Sequence, residues 1–191
     1  VTVPHKEAVI PLLDGVDPAA ARIGAVNTIV VQHGRLYGRN TDGFGFLENL
    51  HGGAPNWRAD AGPTVVIGAG GAAKAVAWAL IDAGAPSLRL VNRTQARAHA
   101  LAEAIGPTAS VVDWNARNDA LHDAALVVNT TTLGMSGQPT LDLDLTPLPT
   151  AAVVNDIIYQ PAETPLLVAA RARGHVAVEG IGMLLHQARP G

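Results

Sequence analysis

Four mostly β-branched residues that end in a spaced set of glycines set the terms for this chain. Thr64-Val65-Val66-Ile67 runs into Gly68-Ala69-Gly70-Gly71-Ala72-Ala73, and an alanine-rich stretch without proline continues to Asp82-Ala83-Gly84. The pattern reads as a buried strand, a tight turn, a helix and a glycine stop. Gly68 permits the turn, Gly70 lets an anion approach the backbone, Ala73 allows close packing of helix on strand, and the free amides of the first helical turn face a phosphate. Gly68, Ala69, Gly70, Gly71 and Ala72 are therefore candidate residues of a dinucleotide-binding turn. The same spacing also arises where a strand-to-helix turn only solves a packing problem, so the surrounding residues have to decide.

With 191 residues, 48% of them apolar, the chain can fill a core, and its scarcity of aromatics suits an α/β fold in which helices cover a sheet. A net charge of −3 without a basic run argues against nucleic acid or an anionic membrane surface as the main partner. No apolar run reaches spanning length and no signal peptide opens the chain, so a cytoplasmic protein acting on a small molecule is the expectation. The absence of cysteine removes thiolate chemistry, and the seven histidines lack metal-ligand spacing, so no metal is expected. Both ends read as cut. Val1-Thr2-Val3 begins as a strand without a polar lead, and a helix over 182–188 stops at Arg189-Pro190-Gly191, which suggests part of a longer protein.

Along the chain, Pro4 at a first helical position predicts a helix over residues 4–13, with Lys6 in its first turn at a strand's carboxyl end. A cation there opposes the helix dipole, although a solvated lysine is the commoner occupant of such a place. Residues 24–31 and 36–42 flank His33-Gly34 as a hairpin with a two-residue turn. That register sets Asn27 opposite Asn40 and puts Asp42 one diagonal step further on the same face, close enough for Asn27 and Asp42 to meet one ligand. Thr41 or Asp42 could equally cap the helix that follows through Leu50. Residues 51–63 read as a linker or exposed loop. The next strand, 87–91, ends in Asn92-Arg93-Thr94 where a dinucleotide site normally holds an acid that grips the ribose. An amide beside Arg93, Thr94 and Arg97 suits a 2′-phosphate instead, which favours NADP over NAD. Two further strand and helix units are expected around strands 110–112 and 125–129, the second running into a small polar loop, Thr130-Thr131-Thr132-Leu133-Gly134-Met135. A strand over 151–159, a helix over 164–173 and a short strand over 175–178 complete the pattern.

Taken together, Val1-Thr2-Val3-Pro4-His5-Lys6, Gly24-Ala25-Val26-Asn27-Thr28, Asn40-Thr41-Asp42-Gly43, the glycine turn, Asn92-Arg93-Thr94, Asn155-Asp156-Ile157-Ile158-Tyr159 and Gly180-Ile181-Gly182-Met183-Leu184 resemble the shikimate 5-dehydrogenase family. The resemblance implies a doubly wound, Rossmann-like parallel sheet that binds NADP over residues 42–179. It also implies a partial α/β substrate domain built from both chain ends, 1–41 and 180–191. The implied reaction is the reversible reduction of 3-dehydroshikimate to shikimate in aromatic amino-acid biosynthesis. Lys6 and Asp42 would be the catalytic pair, and Thr2, Lys6, Asn27, Asp42, Tyr159 and Gln187 the substrate contacts. Asn92, Arg93, Thr94 and Arg97 would clamp the 2′-phosphate, and Ile157 and Gly180 would line the nicotinamide end. Quinate or aminoshikimate remains an alternative substrate, a non-catalytic NADP-binding module an alternative of another class, and monomer or homodimer is left open. The family's opening region, with its pair of serines on the substrate carboxylate, and its closing helix have no counterpart in this sequence. A chain with a whole cofactor half and a partial substrate half is expected to bind NADPH and turn shikimate over slowly.

Overall fold

In the computed structural model of the chain, which describes residues 1–2 and 4–190, proline placement decides the first fold element. The helix expected over 4–13 does not form: residues 4–9 are a run of turns and only Ile10–Leu12 is a short 3-10 helix. Pro11 is the reason, because it has no N–H with which to continue an α-helical ladder, and the chain tightens into a 3-10 turn in which the Leu12 and Leu13 amides donate to the Val9 and Ile10 carbonyls. Val1 and Thr2 belong to no strand, and Val3, the third residue of the expected first strand, lies outside the described residues.

Strand β1 (Gly15–Val16) and helix α1 (Pro18–Ile23) follow, neither expected from the sequence. Asp17 caps α1 by accepting from the Ala20 amide at 2.6 Å, and Gly24 closes it in the left-handed region at φ 68°. Strands β2 (Thr28–Gln32) and β3 (Arg35–Arg39) form the expected hairpin, pairing Thr28 with Arg39 and Gln32 with Arg35. His33 at φ 50° and Gly34 at φ 74° make the two-residue turn whose twist matches the strands. β1 joins β3 in parallel, so the small sheet has the order β1-β3-β2.

Helix α2 (Asp42–Gly53) leads from this sheet to strand β4 (Thr64–Ile67). The intervening stretch is packed and not an exposed linker: Ala54, Trp57 and Ala59 are buried in the main core. Helix α3 (Gly71–Asp82), strand β5 (Leu88–Val91), helix α4 (Gln95–Ile105) and strand β6 (Ala109–Val112) come next. Strands β7 (Leu126–Asn129) and β8 (Val153–Asp156), helix α5 (Pro165–Ala172), strand β9 (Val176–Val178) and helix α6 (Ile181–Gln187) complete the chain. The larger sheet is parallel throughout with the order β6-β5-β4-β7-β8-β9. Its direction of winding reverses between β4 and β7, which is where ligands of doubly wound sheets lie.

Both faces of this sheet are covered. Val66, Leu88, Leu90, Leu126, Val128 and Val153 face a core shared with α2 and α3, while Val65, Ile67, Val91, Val127 and Val154 face a second one. Val65, Val66 and Ile67 have no exposed surface, worth about 1.5–3 kcal/mol each by transfer from water. The two strand and helix units expected after β5 are only half present, because no α-helix follows β6 or β7. Short 3-10 turns at Trp114–Ala116 and Asp119–Leu121 follow β6, and after β7 a proline-containing loop covers the sheet with Leu141, Leu145 and Leu148. The strand expected over 151–159 stops at Asp156, since that residue's own carboxylate accepts from the Ile158 amide at 3.1 Å and turns the chain.

Candidate active site

Lys6 lies on the turn after Pro4, where its carbonyl accepts from the Val26 amide at 2.8 Å and ties the turn to the start of the hairpin. Its Nζ donates to Asp42 Oδ2 at 2.5 Å, between side chains that are 12% and 2% exposed. Asp42 is the first residue of α2, so its carboxylate also sits favourably at a helix N-terminus. Thr41 does not cap that helix with its side chain; its hydroxyl accepts from Asn27 Nδ2 at 2.9 Å instead. The capping alternative therefore falls to Asn40, whose Oδ1 accepts from the Asp42 amide at 3.0 Å.

Asn27 gathers the residues of this side. Its Nδ2 also lies 3.0 Å from Asp42 Oδ1 and 2.9 Å from Gln187 Oε1, and its Oδ1 accepts from the Thr41 amide at 3.0 Å. Gln187 can reach Asn27 because α6 presses on α2 at Gly45, where a Cβ would stand 2.7 Å from the Met183 carbonyl and 2.8 Å from the Gln187 amide. Neither that crossing nor the part of Thr41 was legible from residue spacing. A cavity of about 290 Å³ opens beside this group, lined by Thr2, Asn27, Thr41 and Gln187.

The glycine turn lies across from Lys6. Gly68 holds φ 117°, and a Cβ there would collide with the Thr130 hydroxyl, whereas nothing stands within 4 Å of a Cβ placed on Gly70. The open space above Gly70 and the first turn of α3, which no side chain caps, form a cradle that can accept an anion. Ala69, Gly70, Gly71 and Ala72 line a cavity of about 430 Å³ together with Asn92 and Arg93 just past β5 and Arg97 in the first turn of α4. Asn92 Nδ2 donates to the Thr94 carbonyl at 2.8 Å and so shapes the start of α4. Thr94 itself is exposed at that helix start and is not among the residues that line the cavity. Trp114, over which the Arg117 guanidinium sits at 5.1 Å from the ring centroid, closes the far side.

A second cavity of about 430 Å³ holds Thr2, Lys6, Asp42, Ile157, Tyr159, Gly180 and Gln187. Lys6, Ala72, Thr130, Thr131 and Thr132 line both large cavities, so the two are one cleft with the lysine at the seam. Gly180 is required there because a Cβ would run into the backbone of Ile157. Met135, Met183 and Leu184 add apolar wall to the second cavity; the sequence placed them in the loop 130–135 and in the motif 180–184 without giving them a part in the site. Below the threonines, Asp156 is fully buried at the end of β8. Burial pushes its carboxyl above the ordinary range, while hydrogen bonds from Thr164, the Ile158 amide and Asn129 oppose that rise.

Compared with known proteins, residues 1–29 match the family described as shikimate dehydrogenase substrate binding domain, and residues 58–136 the one described as shikimate / quinate 5-dehydrogenase. A shikimate dehydrogenase (NADP(+)) of Paramagnetospirillum magneticum is 61% identical over 192 residues, covering 100% of this chain and 70% of the relative. The enzyme of the same name from Rhodospirillum rubrum is 59% identical over 196 residues, covering 100% and 69%. Among solved structures, a quinate dehydrogenase from Corynebacterium glutamicum in complex with NAD superposes with a TM-score of 0.89 at 39% identity, covering 98% of this chain and 68% of that one. Shikimate 5-dehydrogenase from Thermus thermophilus in complex with NADP(H) and shikimate gives 0.84 at 41% identity, covering 97% and 67%.

Proposed function

Since this chain belongs to the shikimate dehydrogenase family, we propose that it catalyses the reversible, NADP-dependent interconversion of 3-dehydroshikimate and shikimate with Lys6 and Asp42 at the reacting oxygen. The observation that carries the reading is the buried Lys6–Asp42 pair at the seam between the anion cradle and the second cavity. The cradle fits the cofactor: it has room above Gly70, free amides at the start of α3, and Arg93 and Arg97 where a ribose phosphate would lie. When bound, NADPH supplies the hydride that turns the carbonyl carbon of 3-dehydroshikimate into the carbinol carbon of shikimate.

The chain's own residues supply the rest. Lys6 Nζ donates its proton to the oxygen that gains charge during reduction and receives it back during oxidation. Asp42 holds that ammonium in place and accepts from a neighbouring substrate hydroxyl, while Asn27 and Gln187 orient the ring through the polar group they form with Thr41. Thr2 and Tyr159 border the same space, and Ile157 and Gly180 form the wall on which the nicotinamide rests. In this reading residues 1–41 and 180–191 serve the substrate and 42–179 the cofactor, Thr94 assists Arg93 and Arg97 from the start of α4, and the protein works in the cytoplasm. The NAD-bound quinate dehydrogenase neighbour keeps quinate in view. Initial rates with shikimate, quinate and aminoshikimate, each with NADP and NAD, test the assignment. The highest kcat/KM is expected for shikimate with NADP, and a preference for quinate with NAD would overturn it.

A further inference from the structure

Asp156 is a buried carboxylate that the proposed chemistry does not use, yet two walls of the cleft hang from it. Its Oδ1 accepts from Asn129 Nδ2 and from the Ile158 amide, each at 3.1 Å, and its Oδ2 accepts from the Thr164 hydroxyl at 2.8 Å. Asn129, at the end of β7, is fully buried and has both ends of its amide engaged. Its Nδ2 also donates to the Leu133 carbonyl at 3.1 Å, and its Oδ1 accepts from the Thr131 hydroxyl at 2.8 Å and the Thr131 amide at 3.1 Å. Thr131 Oγ1 then accepts from the Leu133 amide at 3.0 Å. An ionised carboxylate only accepts, so it fixes which end of the Asn129 amide faces Thr131. The chain of bonds thus runs from Asp156 through Asn129 to the loop 130–133, and directly from Asp156 to the segment that carries Ile157 and Tyr159.

We propose that Asp156 is a positioning residue that sets these two walls, the Thr131 loop and the Ile157 segment, in the mutual geometry that the nicotinamide half of the cofactor meets. The proposal rests on the reading of the cleft as a dinucleotide site. Hydrogen bonds that share members act as a unit, so loss of the acceptor frees the Asn129 amide to turn and releases both walls together.

NADPH affinity by fluorescence titration, with kcat and KM for shikimate, is measured for Asp156→Ala, Asp156→Asn, Thr131→Val and the Asp156→Ala/Thr131→Val pair, each well below its own Tm. Asp156→Ala is expected to weaken NADPH about tenfold or more, as misplacement of a binding wall does, with a smaller rise in the shikimate KM, since Tyr159 alone of the substrate contacts lies on the released segment. Asp156→Asn, whose remaining oxygen can still accept from Asn129 and Ile158, is expected to recover most of the affinity. Because Asp156 acts through Thr131, the double variant should be little worse than Asp156→Ala alone. A variant Asp156→Ala that only lowers Tm, or fold-changes that multiply in the double variant, would overturn the proposal. Should Asp156→Ala fail to fold, Thr131→Val carries the test, and an unchanged NADPH affinity in it overturns the proposal. An unaltered chain that binds no NADPH would instead overturn the reading of the cleft.

Discussion

Replacing Lys6 by methionine keeps most of the side chain's length and removes its charge, which leaves the Asp42 carboxylate, 2% exposed, without its cation. Breaking a buried pair by removing one partner costs about 3–5 kcal/mol. The low end, about 3 kcal/mol, applies because Asn27 Nδ2 remains 3.0 Å from Asp42 Oδ1 and because Lys6, at 12% exposure, is not wholly withdrawn from water. For a domain of this size that predicts a Tm lowered by roughly 6–12 °C. Asp42→Asn should cost less, since the ammonium it strands keeps some access to solvent. The double variant should be more stable than Lys6→Met alone, as no unpaired buried charge is left. On the chemical side, loss of a general acid predicts kcat lower by about 10²–10⁴. NADPH affinity should stay within about threefold, less than 1 kcal/mol, since the glycine turn, Arg93 and Arg97 are unchanged and methionine keeps most of the bulk with which residue 6 lines that cavity. Differential scanning calorimetry and NADPH absorbance assays on the three variants measure both effects. Equal destabilisation by the two single variants, or kcat and NADPH affinity falling by one common factor, would refute the reasoning.

Four further outcomes are expected. Alanine at Arg93 and Arg97 should weaken NADPH by about 10–100-fold, the worth of one charge-assisted hydrogen bond or two, and NADH much less; isothermal titration with both cofactors checks this. Gly70→Val should fold, because the backbone there is extended at φ −90° and the added carbons meet open space, yet lose NADPH binding by more than about tenfold. Gly68→Val should fail to fold, and circular dichroism with NADPH titration separates the two. Finally, the folded chain retains the Asp156 proton at pH values where the unfolded chain has released it. Stability should therefore fall as pH rises from the ordinary carboxylate range through the raised value, at up to about 1.4 kcal/mol per pH unit, and urea unfolding of Asp156→Asn should lack that slope.

What could be read from residues alone followed how local each cause is. The His33-Gly34 turn fixes the hairpin register without tertiary help, and that register alone brings Asn27 to Asp42. The strand and glycine turn at residues 64–73 were legible for the same reason, since burial on both faces writes a continuous apolar run. Pro11 was present in the sequence, but a helix start at Pro4 outweighed a breaker seven residues later. β1 was beyond reach, because two residues carry no periodicity and its parallel partner lies two strands on. The prolines at 139, 147 and 149 mark the loop after β7 in the sequence, but Leu141, Leu143, Leu145 and Leu148 match both an alternating and a helical spacing, so periodicity alone does not say that they cover the sheet from a loop. Gln187 could be tied to the site by resemblance, yet the reason it reaches Asn27 is the bare Gly45 on another helix.

Three consecutive threonines, Thr130, Thr131 and Thr132, stand on the boundary of both large compartments. Whatever enters one compartment and shifts that partition alters the shape of the other, and linkage makes the influence mutual. If the oxidised or reduced nucleotide tightens the hold on the ring acid by some factor, the ring acid must tighten the hold on the nucleotide by that same factor.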